Sequence, residues 1–419
     1  MSGLFAKNCL LTSHQKAVAE TVVTRIRHQG LTWLFSPHCA VIGSREGLHV
    51  DWHVSVLSKT HHTQNVVMLC APVSSLEEPS SFVLKVEVQA QIEPERILRE
   101  ARFYQQNQGP HFPKLLGIFT WKPILAIALE YLGTTCTLGD YLWDPRLGRC
   151  YGAALLVKVI DFLSNHLFTS RIRTPSLAES HVLFRSLFID RIRVRFSLLQ
   201  TAEGIIEGLF RSRLVRINGH TCYGPSSLLE RSQENVEASF ALLPRIVGCI
   251  HGDPHLGNIL LYPCSLELNS SDLASGPQMG SSPLLWLIDP GSDRLGPLLY
   301  DLAKLYQSLW GHYEAIMRQA FWVELTRSAE YRIDFDEPPH FVHFRDLLRD
   351  LVGNLSLPAY PSLSSDRLHS ACLLAAGLHL IAAAPHHVNR ITEAQALLLT
   401  GTLLANEGYG GFEQRPVGG

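Results

Sequence analysis

The chain has 419 residues, of which 46% are hydrophobic and 18% charged, and its formal net charge is −2. That length exceeds one minimal domain and leaves room for two lobes with sizeable cores. The near-neutral balance excludes a polycation, so no nucleic-acid partner is expected.

In chain order, "MSGLFAKNCLLTS" carries only a short apolar run and no cleavage-site pattern, so no signal peptide is expected. "SHQKAVAETVVTRIRHQ" follows, with Ser13 as a cap and Val18, Val22 and Ile26 four apart. It predicts a helix within an N-terminal extension over 1–37. The runs "CAVIG", "LHVDWHVSVLS", "NVVMLCAPV" and "SFVLKVEVQ" then read as strands separated by turn-rich pieces. "EPERILREARFYQQNQ" reads as a helix, and "FPKLLGIFTW" and "ILAIALEYL" as two further strands. This β-rich region, 38–132, is one lobe.

From 133 to 419 helical patterns dominate. "YGAALLVKVIDFLSNHLF" is one. "FRSLFIDRIRVRF" is another, with Phe184, Phe188, Ile192 and Phe196 on an apolar face and Arg185 and Arg195 expected off it. Asn218-Gly219 in "LVRINGHTCYGP" sits between apolar runs and signals a hairpin. "HGDPHLGNIL", 251–260, leads into an apolar strand. A Ser/Gly-rich stretch over 265–283 reads as a mobile insertion before the strand "LLWLIDPG". Beyond Leu298 the chain reads as mainly helical. "ACLLAAGLHLIAAAP", Ala371 to Pro385, is short of the ~18 apolar residues a bilayer span requires. It reads as a buried helix, and no membrane span is expected. Nine cysteines without a CxxC pair read as free thiols in a reducing, cytoplasmic setting.

The chemistry concentrates around 251–258. Asp253 and Asn258 are five apart, and Asp289 ends the next apolar run. A hairpin of "NILLY" against "LLWLID" would bring Asn258 and Asp289 to one end. Two hard oxygen ligands there suit Mg²⁺ shared with substrate phosphates. Asp253 would then orient a hydroxyl and accept its proton, with Gly252 and Gly257 permitting tight turns. Upstream, Lys85 lies inside an apolar strand, where an ammonium requires a partner, and Glu100 follows in the next helix. A lysine held by a helix glutamate and aimed at phosphates is an arrangement for phosphoryl transfer. The backbone from Glu130 to Leu132 is a candidate for hydrogen bonding an adenine.

These motifs resemble the aminoglycoside phosphotransferase and choline kinase branch of the protein-kinase-like superfamily, over roughly residues 38–330. "HGDPHLGNIL" resembles its catalytic loop, "LIDPG" its metal-binding segment, and "GPLLYDLAKLYQSLWGHYE" the helix after it. In detail they look closest to bacterial phosphotransferase-like proteins linked to capsule synthesis. The resemblance implies an α+β, bilobal protein-kinase-like fold, with a β-rich N-lobe, a mainly helical C-lobe and a nucleotide cleft between them. It implies ATP and Mg²⁺ as cofactors and transfer of the γ-phosphoryl group to a hydroxyl of a small molecule, such as a sugar, aminoglycoside or amino-alcohol. Asp253 would be the catalytic base and His251 would support its loop. Asn258 and Asp289 would hold the metal, Lys85 the phosphates, and Glu100 would position Lys85. Asp301 would brace the loop. Three departures stand out. Gly296-Pro297-Leu298 lacks the family's acidic position, the Asp253–Asp289 gap is lengthened, and only Gly43 and Gly47 stand where a Gly-rich loop is expected.

Each feature also has a plainer reading. The 251–258 segment is a surface turn, or His251 and His255 are a zinc pair, against which Gly252 and Pro254 argue by breaking a helix. Lys85 is a snorkelling strand lysine, Glu100 a solvated helix residue, Gly43 and Gly47 a hairpin turn, and Asp301 a helix cap. Arginines 185, 191, 193, 195, 211, 213 and 216 form a solvated face or an anion-binding surface. Two other functions stay open: a protein Ser/Thr or effector-like kinase, and a nucleotide-binding module without turnover. Oligomeric state is not readable from the sequence.

Overall fold

The computed structural model describes residues 17, 20–22, 52–57, 65–72, 81–87, 96–121, 124–133, 135–197, 204–261, 285–291, 293–326, 330–355 and 363–413. They form a mixed α+β structure. The strand expected at 39–43, Gly43 and Gly47, most of the expected N-terminal helix and the segment 265–283 lie outside the described residues. The chain divides into two compact units, Met1–Thr135 with Ser282–Asp293, and Cys136–Ser281 with Arg294–Gly419. The sequence boundary after 132 keeps Asp289 with the helical region, whereas the structure returns Ser282–Asp293 to the first unit. A linear reading misses that return because its hydrogen bonds are made to a distant segment.

The first unit is built on an antiparallel sheet of five strands in the order β1-β2-β3-β5-β4. They are β1 (Trp52–Val56), β2 (Asn65–Pro72), β3 (Phe82–Glu87), β4 (Leu115–Trp121) and β5 (Ile124–Glu130). Side chains alternate across a strand, so Met68, Leu84 and Ala128, in register on neighbouring strands, share one face and are fully buried. Lys85, opposite Val67 and Ile127, takes the other face. The helix Arg96–Gln106 buries Ile97, Glu100, Ala101 and Tyr104, an i, i+3, i+4, i+7 stripe that also carries a carboxylate. The short strand Leu285–Leu287 is fully buried. It is tied to this unit by the Leu287 N–H donating to the His111 carbonyl at 2.9 Å and by His111 Nδ1 donating to the Leu285 carbonyl at 3.0 Å.

The second unit is mainly helical. Asp144 caps the helix Pro145–Asp161 by accepting the Arg146 and Leu147 N–H groups, with Pro145 at the first position. The Asn218-Gly219 hairpin forms between Leu214–Ile217 and His220–Tyr223, with φ of 50° and 81° at its two central residues. Positive φ at both is what this turn type demands, and Asn and Gly tolerate it. The hairpin is half of a four-stranded sheet. Phe321–Leu325 and Glu330–Phe335 complete it, where the sequence reading expects helix. Glu330–Phe335 runs parallel to Leu214–Ile217. The Asn218 side chain extends that ladder, donating to the Ile333 carbonyl and accepting its N–H, both at 2.9 Å.

The core of this unit is the antiparallel pair Ser365–Ala383 and Ile391–Glu413, against which the helix Leu298–Leu309 packs. The stretch Ser365–His387 is long and apolar enough to cross a membrane, and 83% of its most apolar window is buried inside the protein. Arg195, expected on the solvent side, is instead 5% exposed and donates to the Ala382 carbonyl at 2.8 Å. It lies three residues after Ile192 and seven after Phe188, on the buried side. There it donates to a carbonyl in the last turn of the helix Ser365–Ala383. Among the described residues Cys70, Cys222, Cys249 and Cys372 are buried, Cys136 is half-buried and Cys150 exposed, and none is bridged.

Candidate functional site

In the first unit the structure brings Lys85, Glu100 and Asp289 together. Lys85 Nζ lies 2.6 Å from Glu100 Oε2 and 2.6 Å from Asp289 Oδ1. Lys85 is only 5% exposed and Glu100 1%. Burial alone would depress the ammonium, but the carboxylates of Asp289 and Glu100 outweigh it and hold Lys85 above its ordinary value. Burial pushes the Glu100 carboxyl up, against the pull of Lys85. Arg96, one turn before Glu100, adds a second cation to Asp289 at 3.3 Å. Asp289 follows the buried strand and sits at φ 56°, a left-handed conformation that Asp tolerates better than most residues. Its N–H donates to the Tyr104 hydroxyl at 3.2 Å, which helps hold that geometry. The ion pair from Arg102 to Asp293, at 2.6 Å, anchors the far side of the turn.

Glu130 ends β5. Its N–H donates to the Lys114 carbonyl at 2.9 Å, and its carboxylate accepts the Lys114 N–H at 3.2 Å. That N–H is therefore committed within the sheet. Leu132 lies just beyond the strand and is half-buried.

In the second unit the loop His251–Asn258 is held from below by one helix. The strand Gly248–Cys249, which leads into the loop, pairs with Leu295–Gly296, which leads into the helix Leu298–Leu309. Asp301, in the first turn of that helix, accepts the N–H of His251 at 2.7 Å and of Gly252 at 2.8 Å. Gly252 sits at φ 82°, where a side chain would be strained. Lys304 reaches Asp253, Nζ to Oδ1 at 2.9 Å. The Ser308 hydroxyl accepts the Leu256 N–H at 3.1 Å. Residues 301, 304 and 308 are spaced three and four apart, so they form one stripe facing the loop. The loop also folds on itself. Asn258 Nδ2 donates to the Asp253 carbonyl at 2.9 Å, and His255 Nδ1 accepts the Gly257 N–H at 3.1 Å. His251 is fully buried, and no helix runs through 251–255 to place His251 and His255 as a metal pair.

Burial pushes the Asp301 carboxyl up to about 7, against the two N–H groups that favour its ionised form. Burial pulls the Lys304 ammonium below its ordinary value, with Asp253 drawing it back.

The sequence reading names Asp253, Asn258, Asp289, Lys85, Glu100 and Asp301, but not Arg96, Lys304 or Ser308. A signal for Lys304 exists. It is weak: in "LLYDLAKLYQSL" Asp301, Lys304 and Ser308 share one face that reads as solvated, whereas the structure buries all twelve residues. Among the described residues no group of three or more His, Cys, Asp or Glu is arranged to hold a metal by itself.

No family model and no curated protein matches the chain. Among solved structures it is similar to one described as "Crystal structure of BubR1 kinase domain", at 12% identity, over 94% of this chain and 97% of that one, with a TM-score of 0.29.

Proposed function

We propose that this chain is a phosphotransferase that moves the γ-phosphoryl group of ATP to a hydroxyl of a small molecule, in the manner of sugar, aminoglycoside or amino-alcohol kinases. The observation that carries the reading is Lys85 held between Glu100 and Asp289. A buried ammonium with a fixed direction, beside a carboxylate able to take a cation, suits the charge of nucleotide phosphates. Support comes from Asp253, a carboxylate on a loop fixed at both peptide units around Gly252.

In the reaction the acceptor oxygen forms a bond to phosphorus. The bond from phosphorus to the ADP oxygen breaks, its electron pair leaves on ADP, and the acceptor's proton passes to Asp253. Mg²⁺, when bound, neutralises phosphate charge. A cation held by few protein oxygens and shared with phosphates is the usual arrangement for this ion. Asp289, which follows the buried strand Leu285–Leu287, would offer such a cation one oxygen. The Asn258 amide nitrogen is engaged with the Asp253 carbonyl, which reserves the oxygen end for a cation.

A nucleotide-binding module without turnover is the second reading. ADP release from MgATP, with water and with a library of hydroxylated metabolites as acceptors, separates the two. Asp253→Asn should lower turnover about 10²- to 10⁴-fold while nucleotide binding persists. Turnover by folded Asp253→Asn at the wild-type rate would defeat the assignment. ATP binding without any turnover by the native protein would select the second reading.

A further inference from the structure

We infer that Lys304 is a positioning residue for Asp253: its ammonium, set in a buried helix, fixes the carboxylate of the loop in one orientation for the acceptor hydroxyl. The inference rests on the phosphotransfer reading and adds a residue to it.

Three observations support it. Lys304 lies in the middle of a helix, Leu298–Leu309, whose twelve residues are all buried. Its side chain is 6% exposed, and its Nζ is 2.9 Å from Asp253 Oδ1. It shares a stripe with Asp301 and Ser308, which bond the same loop at His251, Gly252 and Leu256. The stripe therefore holds the loop's backbone at two places and its carboxylate at a third.

Stability alone does not account for the pair. Removing two charges from water costs about as much as their attraction returns, and an apolar pair of the same volume is often as stable or more so. What a buried pair adds is geometry. With Oδ1 engaged by Lys304, the carboxylate is held in one rotamer. His379 packs edge-on against Tyr300 at 4.4 Å between ring centroids. It is kept neutral by burial and by the charges of Lys304 and Arg191. Arg191 is engaged with the Tyr300 hydroxyl.

The experiment measures ADP release from MgATP, with water as acceptor, by the full chain and by Lys304→Met, Lys304→Arg, Asp253→Asn and Asp253→Asn/Lys304→Met. Lys304→Met should lower kcat about 10- to 100-fold, as misplaced reacting groups do, with KM for ATP unchanged. In the Asp253→Asn background the same substitution should change the residual rate by less than about two-fold, because there is no carboxylate left to orient. Lys304→Arg, which keeps the charge, should recover part of kcat. Wild-type kcat in folded Lys304→Met overturns the inference while leaving the phosphotransfer reading intact. An equal fall in both backgrounds also overturns it, since that marks a general structural role. If Lys304→Met does not fold, Lys304→Arg decides: a lowered kcat at constant KM supports positioning, and an unchanged kcat overturns it. Absence of ADP release by the native chain with water and with every hydroxylated metabolite removes the reading beneath the inference, and the inference with it.

Discussion

Asp301 Oδ1 accepts the N–H of Gly252 at 2.8 Å, while its other oxygen accepts the N–H of His251 at 2.7 Å. One carboxylate therefore clamps two successive peptide groups, and the second of them belongs to a residue at φ 82°. Asn at position 301 has one oxygen and an amide that can only donate. Asp301→Asn should leave one of the two buried N–H groups unsatisfied, at about 1–3 kcal/mol. Thermal unfolding should show that loss, and turnover should fall with it because Asp253 follows directly in the chain. A melting temperature equal to wild type would mean the loop is held by other contacts.

The helix pair Ser365–Ala383 and Ile391–Glu413 makes a second prediction through its glycines. A Cβ on Gly377 would lie 2.5 Å from the Ala405 nitrogen and 2.6 Å from the Gly401 oxygen, both backbone atoms. Replacing Gly by Ala within a helix gains about 0.5–1 kcal/mol in propensity. Overpacking against backbone costs about 1–3 kcal/mol, so Gly377→Ala should destabilise. Gly410, on the second of the two helices, has nothing within 4 Å of an added Cβ. Gly410→Ala should therefore stabilise by the propensity difference. Chemical denaturation of both variants tests the pair, and equal effects of one sign would contradict the close approach of these helices.

Lys85 and the Asn218-Gly219 turn are legible because local rules force them. A lysine in "FVLKVEV" is improbable without a carboxylate, and two positive φ values select Asn and Gly. The strands β1 to β5 are legible as short apolar runs between turn-rich pieces, β3 being buried on both faces. The strands Phe321–Leu325 and Glu330–Phe335 escape because they are short, half-exposed and set among long helices. What makes them strands is pairing with each other and with Leu214–Ile217, more than a hundred residues earlier. Arg195 is misread because an arginine is assumed to seek water, whereas here a helix-end carbonyl is its solvent. The stripe formed by Asp301, Lys304 and Ser308 is visible as spacing. Its target is not, since nothing local says which loop the stripe faces.

Glu314 gives a pH prediction. Burial pushes its carboxyl from an ordinary 4.5 up to about 7, and the side chain packs against Gly139. Between those values the folded protein keeps a proton that the unfolded chain releases. The stability this group contributes is fully present below about 4.5 and is lost as pH rises through about 7. The shift corresponds to roughly 3 kcal/mol at 1.36 kcal/mol per unit. Glu314→Gln is neutral at every pH. It should match wild type near pH 5 and exceed it at pH 8. Asp301, also raised, and His369, lowered to about 4 by burial, act alike in both proteins and drop out of the difference. A difference in unfolding free energy that stays constant from pH 5 to pH 8 would show that Glu314 titrates normally.

The last prediction separates what Lys85 does for the fold from what it does for a nucleotide. Lys85→Met leaves Glu100, 1% exposed, without its ammonium. Breaking a buried pair from one side costs about 3–5 kcal/mol, because the remaining charge is uncompensated. Lys85→Met/Glu100→Leu removes both charges and fills their space with carbon. By the same argument its stability should return close to wild type. On the proposed function, nucleotide affinity should not return, because the ammonium proposed to meet the phosphates is gone in both variants. Calorimetric titration with ATP, with and without Mg²⁺, reads the second quantity, and denaturant unfolding reads the first. A double variant that is stable and still binds MgATP at wild-type affinity would make Lys85 a structural residue. One that stays as unstable as the single variant would mean that Asp289, 2.6 Å from the same ammonium, is the partner whose isolation matters.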